Sequence, residues 1–439
     1  MDLKEYKRRR KKLMDMMGDE SIAIIPTASV YIRNRDVEYP FRPDSDFCYL
    51  TGYPEPEAVA VLIPDRHHGE YVLFCRENDP VMETWNGRRA GLDGAIECYG
   101  ADDAFPIGDM DEILPGLLED RQRIFYTMGN NSMFDQRVLG WVNQVRKRAR
   151  TGVNAPDEFI SPNHLLHEMR LYKSRAEIAA MRKAAKISAA AHRRAMQMCR
   201  PGMMEYQIEA ELKYTFMKLG AQETAYPPIV GGGANSCILH YTENNQVLND
   251  GDVLLIDAGS EYNGYASDIS RTFPVNGKFS NAQREVYELV LKAQSAAIGK
   301  IKPGNHWNEP HEAAIEVLTA GMVELGILKG RLRQLIKDQA YTKYYMHRTG
   351  HWLGMDVHDV GDYKVEGEWR TFEPGMVMTV EPGIYLPASS KGLAKKWRNI
   401  GIRIEDDVLV TRTGNDILSK DAPKSVEEIE AMMAHELAA

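Results

Sequence analysis

Asp257, Asp268, His351, Glu381 and Glu405 each stand in or beside an apolar, strand-like run, and no other feature limits the possible fold so strongly. An unpaired buried charge costs several kcal/mol or more. Four acids in such places therefore call for a shared positive charge, and two divalent cations are the simplest source. Oxygen donors with a single imidazole suit a hard ion, Mn²⁺ first, with Co²⁺, Fe²⁺ or Zn²⁺ as alternatives; a structural zinc site would want cysteines and histidines. Singly, each residue has an ordinary reading: Asp257 as a turn former, Asp268 as a helix N-cap, Glu381 and Glu405 as solvated edge residues, His351 as a bonded core histidine. Jointly, those readings place four acids in hydrophobic strands by separate accidents.

The spacing predicts how the first two acids meet. Val253-Leu254-Leu255-Ile256 and Ile269-Ser270-Arg271-Thr272-Phe273 read as strands, with Asn263-Gly264 between them as a two-residue hairpin turn. If Tyr262 and Tyr265 flank that turn, Asp257 faces Ser270 and Asp268 is its diagonal neighbour, with backbones about 7 to 8 Å apart. Their carboxylates could then converge on two ions roughly 3.5 to 4 Å apart. Downstream, Val377-Met378-Thr379-Val380 leads into Glu381, which Pro382 holds extended. Arg403 and Glu405 share one face of Gly401-Ile402-Arg403-Ile404-Glu405 by the period of two, which puts a cation beside Glu405. His351 lies in Gly350-His351-Trp352-Leu353-Gly354, where the glycines argue for a bent segment.

Several blocks together resemble the Xaa-Pro aminopeptidase (aminopeptidase P) family: Leu255-Ile256-Asp257-Ala258-Gly259, Ser267-Asp268-Ile269-Ser270-Arg271-Thr272-Phe273-Pro274, His351-Trp352-Leu353-Gly354-Met355-Asp356-Val357-His358-Asp359, Val380-Glu381-Pro382-Gly383 and Gly401-Ile402-Arg403-Ile404-Glu405. The likeness extends through Ile238-Leu239-His240-Tyr241 and, more weakly, through Ser45 to Gly52 and Trp85-Asn86-Gly87-Arg88-Arg89. It implies an α/β amino-terminal domain followed by an α+β "pita-bread" domain with a dinuclear, usually manganese, centre. The implied activity is removal of an amino-terminal residue when proline follows it.

By the same resemblance Asp257 chelates one ion, His351 and Glu381 the other, and Asp268 and Glu405 bridge both. Glu381 doubles as proton shuttle, His240 and His358 flank the substrate, and Arg403 orients the bridging glutamate. His347 also matches a substrate histidine, but family members commonly have glycine after it, where this chain has Arg348. Trp85 is either a packed aromatic or, by resemblance, a residue reaching a neighbouring subunit's site in a homo-oligomer, dimer or tetramer. Two other functions fit parts of the pattern. Prolidase is similar at all five ligands but acts on Xaa-Pro dipeptides, and a non-catalytic peptide-binding relative would have lost ligands that are all present here.

A length of 439 residues predicts two or three domains. Strand-like runs at Ile22 to Ile25, Val59 to Ile63, Tyr71 to Phe74 and Ile124 to Tyr126 alternate with helix-like runs at Asp111 to Leu118 and Phe134 to Arg146, which makes an α/β domain over residues 1–170. A polar, turn-rich stretch from Thr151 to Asn163 separates it from a catalytic domain over 171–439. There Ser174-Arg175-Ala176-Glu177 is a capping box for a helix to about Met198, and Ser280-Asn281-Ala282-Gln283 opens another.

The net charge of -9 argues against nucleic acid as a main partner, and the basic cluster Lys7 to Lys12 reads as the solvated face of an amphipathic helix with Tyr6, Leu13 and Met17. The longest apolar runs are far too short to span a bilayer, and no apolar leader follows the basic residues, so no membrane role and a cytoplasmic location are expected. Five cysteines without a Cys-x-x-Cys pair suit reduced thiols. Gly231-Gly232-Gly233 lacks the lysine of a phosphate loop, and His167-Glu168, His311-Glu312 and His435-Glu436 never reach a second zincin histidine.

Overall fold

A computed structural model describes residues 1–434; the His435-Glu436 pair lies outside the described residues. The chain divides into two compact units, Met1–His167 and Glu168–Ala439.

In the first unit, short runs rich in isoleucine, valine and phenylalanine form a six-stranded mixed sheet. Its order is Asp103–Pro106, Tyr71–Cys75, Val59–Leu62, Ser21–Pro26, Arg123–Phe125, Glu158–Ile160. Ile22, Ile24, Val61, Val72 and Phe74 pack with Leu114, Val138 and Trp141 of the helices Met110–Leu117 and Ser132–Lys147 in one apolar core. Two expectations fail here. The stretch from Thr151 to Asn163 is no mere separator, because Glu158–Ile160 pairs in parallel with Arg123–Phe125 as the sheet's edge strand. The basic cluster does lie on a helix, Leu3–Met17, yet Arg9 and Arg10 are buried rather than solvated. Each guanidinium carbon sits 4.0 Å from a tyrosine ring centre, Tyr49 and Tyr71 respectively. Cation-π contact and bonds to the carbonyls of Tyr49 and Leu50 offset the loss of water.

The second unit repeats one succession of elements. The capping box at Ser174 opens the helix Arg175–Met198, followed by Glu205–Lys218 and by antiparallel strands Ile229–Gly232, Val253–Asp257 and Ser270–Pro274. The capping box at Ser280 opens Asn281–Ile298, followed by Glu309–Glu324 and by strands Val377–Val380, Gly383–Leu386, Ile400–Arg403 and Asp406–Val410. The first succession carries Asp257 and Asp268; the second carries His351, Glu381 and Glu405. Apolar faces of these helices and strands share a core containing Ile187, Leu254, Ile256, Phe273, Val290, Leu318 and Ile402.

Candidate metal centre

The hairpin forms in the register that its turn demands. Tyr262 pairs with Tyr265 and Asp257 with Ser270, so Asp268 comes beside Asp257 on the same side. Between these pairs regular pairing lapses at Ala258–Gly259 and Ser267–Ile269, which frees Asp268 from the ladder. A side chain at Gly259 is impossible, because its Cβ would lie 1.7 Å from the Ser267 carbonyl oxygen. The hydroxyl of Tyr226 donates to Asp257 Oδ1 at 2.6 Å and also bonds Asp268 Oδ1.

The remaining groups arrive from the second succession. Glu381 directly follows the strand Val377–Val380, and its N–H donates to the Thr349 carbonyl at 2.7 Å. His351 sits in an irregular segment, as its glycines require, tied to that strand through the Thr379 hydroxyl at 3.1 Å. Its Nδ1–H donates to the Trp352 carbonyl at 2.9 Å, so Nε2 faces the acids, 3.4 Å from Asp268 Oδ2 and 3.6 Å from Glu381 Oε1. Glu405 contributes a donor atom that lies with those of Asp268 and His351 within 4.8 Å of one another. The five predicted residues thus come together in one place.

Arg403 is the point of difference. The strand Ile400–Arg403 ends before Ile404 and Glu405, yet both side chains meet Ser270 Oγ, so Arg403 comes beside Glu405 as expected without bonding it directly. Its Nη2 donates instead to Asp257 Oδ2 at 2.7 Å, Nη1 to the Tyr385 hydroxyl at 2.9 Å and Nε to Ser270 Oγ at 2.9 Å. Ser270 Oγ in turn donates to Glu405 Oε2 at 2.7 Å, so the arginine reaches the glutamate through a serine.

The acids are short of positive charge. Among the described residues Arg403 is the one arginine or lysine whose side chain reaches any of the four carboxylates. Burial, compounded by Asp268 and Glu381, pushes Glu405 well above the usual carboxylate range. Burial raises Glu381 to about 7 against the pull of His351. Asp268 is the exception: burial pushes it up, but its bond to the His351 imidazole brings it below its ordinary value. His351 is lifted to about 9 because Asp268 and Glu381 outweigh burial. Oxygen-rich donors, one free imidazole nitrogen and uncompensated negative charge are what a pair of hard divalent cations requires, so the residues fit such a centre.

Above them opens a cavity of about 460 Å³ lined by Asp257, Glu381 and His351, by His240, His347 and His358, and by Trp307, Tyr363 and Trp369. His358 packs edge-on to His351, ring centres 4.4 Å apart, and burial lowers its proton affinity. His347 donates from Nδ1 to the Arg348 carbonyl at 2.7 Å and accepts from the Tyr385 hydroxyl at Nε2, at 2.9 Å. Burial and Arg403 hold it neutral, with a pKa of about 4. Trp85 lies outside this group, 80% exposed on the helix Pro80–Asn86, which rules out the packed-aromatic reading.

The model of metallopeptidase family M24 matches residues 179–412, and that of the aminopeptidase P N-terminal domain matches 6–126. The chain belongs to metallopeptidase family M24. The Escherichia coli Xaa-Pro aminopeptidase is 46% identical over 98% of this chain and 97% of that protein. The solved structure of Pseudomonas aeruginosa aminopeptidase PepP superposes with a TM-score of 0.98 at 60% identity, covering 99% of this chain and 98% of that one. Zinc-substituted Escherichia coli aminopeptidase P in complex with product superposes at 0.96 and 45% identity, covering 99% and 98%. The M24 chain has the pita-bread fold that its motifs imply.

Sequence reasoning missed several parts of this M24 site. Tyr226, bonded to two of the acids, stands in no pattern that marks it. Behind Glu405, Arg271 donates to the carbonyls of Glu405 at 2.6 Å and Ser270 at 2.9 Å and pairs with Asp406 at 2.8 Å; Lys424 adds a second cation to Asp406 at 2.6 Å. Asp359, bound to Arg170 at 2.5 Å and Lys173 at 3.0 Å, anchors the loop that presents His358. A charged residue inside an apolar run was the available signal for Arg271.

Proposed function

We propose that the chain removes the amino-terminal residue from peptides whose second residue is proline, using two divalent cations, manganese foremost, held by Asp257, Asp268, His351, Glu381 and Glu405. The observation that carries this reading is the convergence of four carboxylates and one imidazole on a single cavity with one arginine to balance them. Family membership supplies the reaction class. Asp257, Asp268, His351, Glu381 and Glu405 would hold the cations, the donor atoms of Asp268, His351 and Glu405 lying within 4.8 Å of one another.

Bound cations would acidify water toward neutrality and offset negative charge developing on the scissile carbonyl. The protein's own groups do the rest. Glu381 takes a proton from the attacking water and returns it to the leaving nitrogen. A proline nitrogen in a peptide carries no hydrogen, so its departure as a secondary amine depends on that delivery. Neutral His358 donates an N–H to the carbonyl oxygen as it gains charge. His240 borders the substrate, while the aromatic side formed by Trp307, Tyr363 and Trp369 excludes water around the proline ring. His347, with both ring nitrogens already engaged, acts as a neutral wall and transmits the position of Arg403 through Tyr385.

Short peptides are therefore the partners, and nucleic acid is not. No helix among the described residues is long and apolar enough to cross a membrane, and all five cysteines are free thiols, which favours the reducing cytoplasm. Exposed Trp85, with Val81 and Met82 on a helix that buries nothing, supports a homo-oligomer in which Trp85 meets another subunit. Light scattering of Trp85→Ala beside the parent tests this, and equal masses count against it. For the activity, protein loaded with manganese is offered Xaa-Pro-Yaa, Xaa-Ala-Yaa and Xaa-Pro. Preferred cleavage of the first is expected; cleavage of the dipeptide alone, or of none, overturns the reading.

A further inference from the structure

The cavity lining contains two arginines, Arg348 and Arg403, and they are in opposite situations. Arg403 is buried and spends all three of its nitrogens on Asp257, Ser270 and Tyr385. Arg348 is exposed and, among the described residues, meets no carboxylate. Its Nη2 donates to Asn308 Oδ1, just ahead of the helix Glu309–Glu324, and its guanidinium carbon lies 5.3 Å from the centre of the Trp369 ring. Trp369 belongs to the short hairpin Lys364–Val365/Glu368–Trp369 and has Lys364 Nζ 4.5 Å from its ring centre as well. Asn308 thus holds one edge of the guanidinium and Trp369 steadies it, leaving other N–H groups for a ligand.

An arginine stays charged at any working pH, and its fork matches a carboxylate in two parallel bonds. The cations proposed for Asp257, Asp268, Glu381 and Glu405 would be committed to those acids, and Arg403 is spent on its own partners. For a carboxylate beyond the proline, Arg348 is therefore the arginine of the lining that meets no carboxylate of the protein among the described residues. The direction of the substrate follows from the aminopeptidase reading, on which this step rests: the amino end goes to the acids, so the remainder runs toward exposed lining. We infer that Arg348 sets specificity by pairing with a carboxylate of the peptide beyond its proline, either the terminal carboxylate of a tripeptide or an acidic side chain at the third residue.

The test uses the manganese-loaded full chain, Arg348→Met and Arg348→Lys, with four substrates sharing one front end. These are Ala-Pro-Ala as free acid and as amide, and Ala-Pro-Glu and Ala-Pro-Gln, both as amides. The parent protein is expected to favour the free acid over the amide, the glutamate over the glutamine, or both, by about tenfold in kcat/KM, mostly through KM. The first ratio reports the terminal carboxylate and the second the side chain. In Arg348→Met those ratios fall to near one, Arg348→Lys keeps part of them, and added salt shrinks them in the parent. If Arg348 merely braces Asn308 against Trp369, its loss changes all four rates together and leaves the ratios alone, which overturns the inference; so do parent ratios near one. Failure of the parent to cleave any of the four substrates would instead sink the aminopeptidase reading itself.

Discussion

Glu405, Asp406 and Asp407 are consecutive and buried, yet they belong to two regions with opposite electrostatics. On one side Glu405 joins Asp257, Asp268 and Glu381, and burial among acids drives its proton affinity far up. On the other, Asp406 accepts from Arg271, Lys424, Ser419 at 2.7 Å and Gln294 at 3.0 Å, and these cations hold it well below the usual range despite burial. Asp407 follows the first pattern, raised by burial and by Asp268, whose N–H it accepts at 3.1 Å. Asp406, which arrives with its cations, is architecture, and Asp407 ties down the Asp268 backbone, whereas Glu405, clustered with Asp268 and His351, leaves charge for a cation to balance. The same depth in the same strand region thus separates framework from chemistry by partners alone.

Emptying each cluster should have its own consequence, one on metal and catalysis, the other on stability. Asp268→Ala is expected to keep its fold but lose bound manganese and slow Xaa-Pro cleavage by about 10³-fold or more, since metals supply several kcal/mol to such reactions. Metal analysis beside kinetics checks this, and full-speed cleavage would refute the ligand set.

Asp406→Asn is expected to do the reverse. It leaves the buried Arg271 charge uncompensated, costing about 3 to 5 kcal/mol in denaturant unfolding, while metal still binds in the folded fraction. An unchanged midpoint would remove the distinction drawn here.

The pH dependence of metal-free protein sharpens it further. Glu381 titrates near 7 in the fold against an ordinary 4.5, so the unfolded chain releases its proton first and stability falls as pH rises between those values. His351 holds its proton to about 9 against 6.5, so the stability it gives below 6.5 is lost as pH climbs to 9. Asp406 acts oppositely, stabilising above its ordinary value of 3.8 and ceasing to do so in stronger acid. Thermal melts should therefore weaken by a few kcal/mol from about pH 4.5 to 9 without metal, and much less with saturating manganese. Curves that coincide would contradict the account.

The smallest effect is expected for Lys424→Met. Lys424 is partly exposed, and Arg271 remains on Asp406, so about 1 kcal/mol should be lost by the same unfolding measurement.

Much of the ligand set was legible because it rests on short-range rules. A two-residue turn fixes a register, a register fixes faces, and acids on a core-side face demand explanation. Arg403 shows where the rule ends: periodicity puts it on the side of Glu405, but its bonds to Asp257 and Tyr385 depend on partners far away in sequence. Tyr226 and Asp359 were invisible because their partners lie far away in sequence, at Asp257, Arg170 and Lys173. Glu158–Ile160 hid for another reason, since a three-residue edge strand among polar neighbours has too short a run to show a period. Arg9 and Arg10 misled because charge was read as solvation, when the rings of Tyr49 and Tyr71 provide a different surrounding.

The bonds made by Arg271 also impose an order on biosynthesis. Its strand is translated early in the second unit, but one of its acceptors, the Ala422 carbonyl, lies 151 positions later, and Lys424 follows just after it. A nascent chain halted before those residues would hold Arg271 and Asp406 only half satisfied. The cradle behind Glu405 can therefore set only once the chain through Lys424 is available to fold.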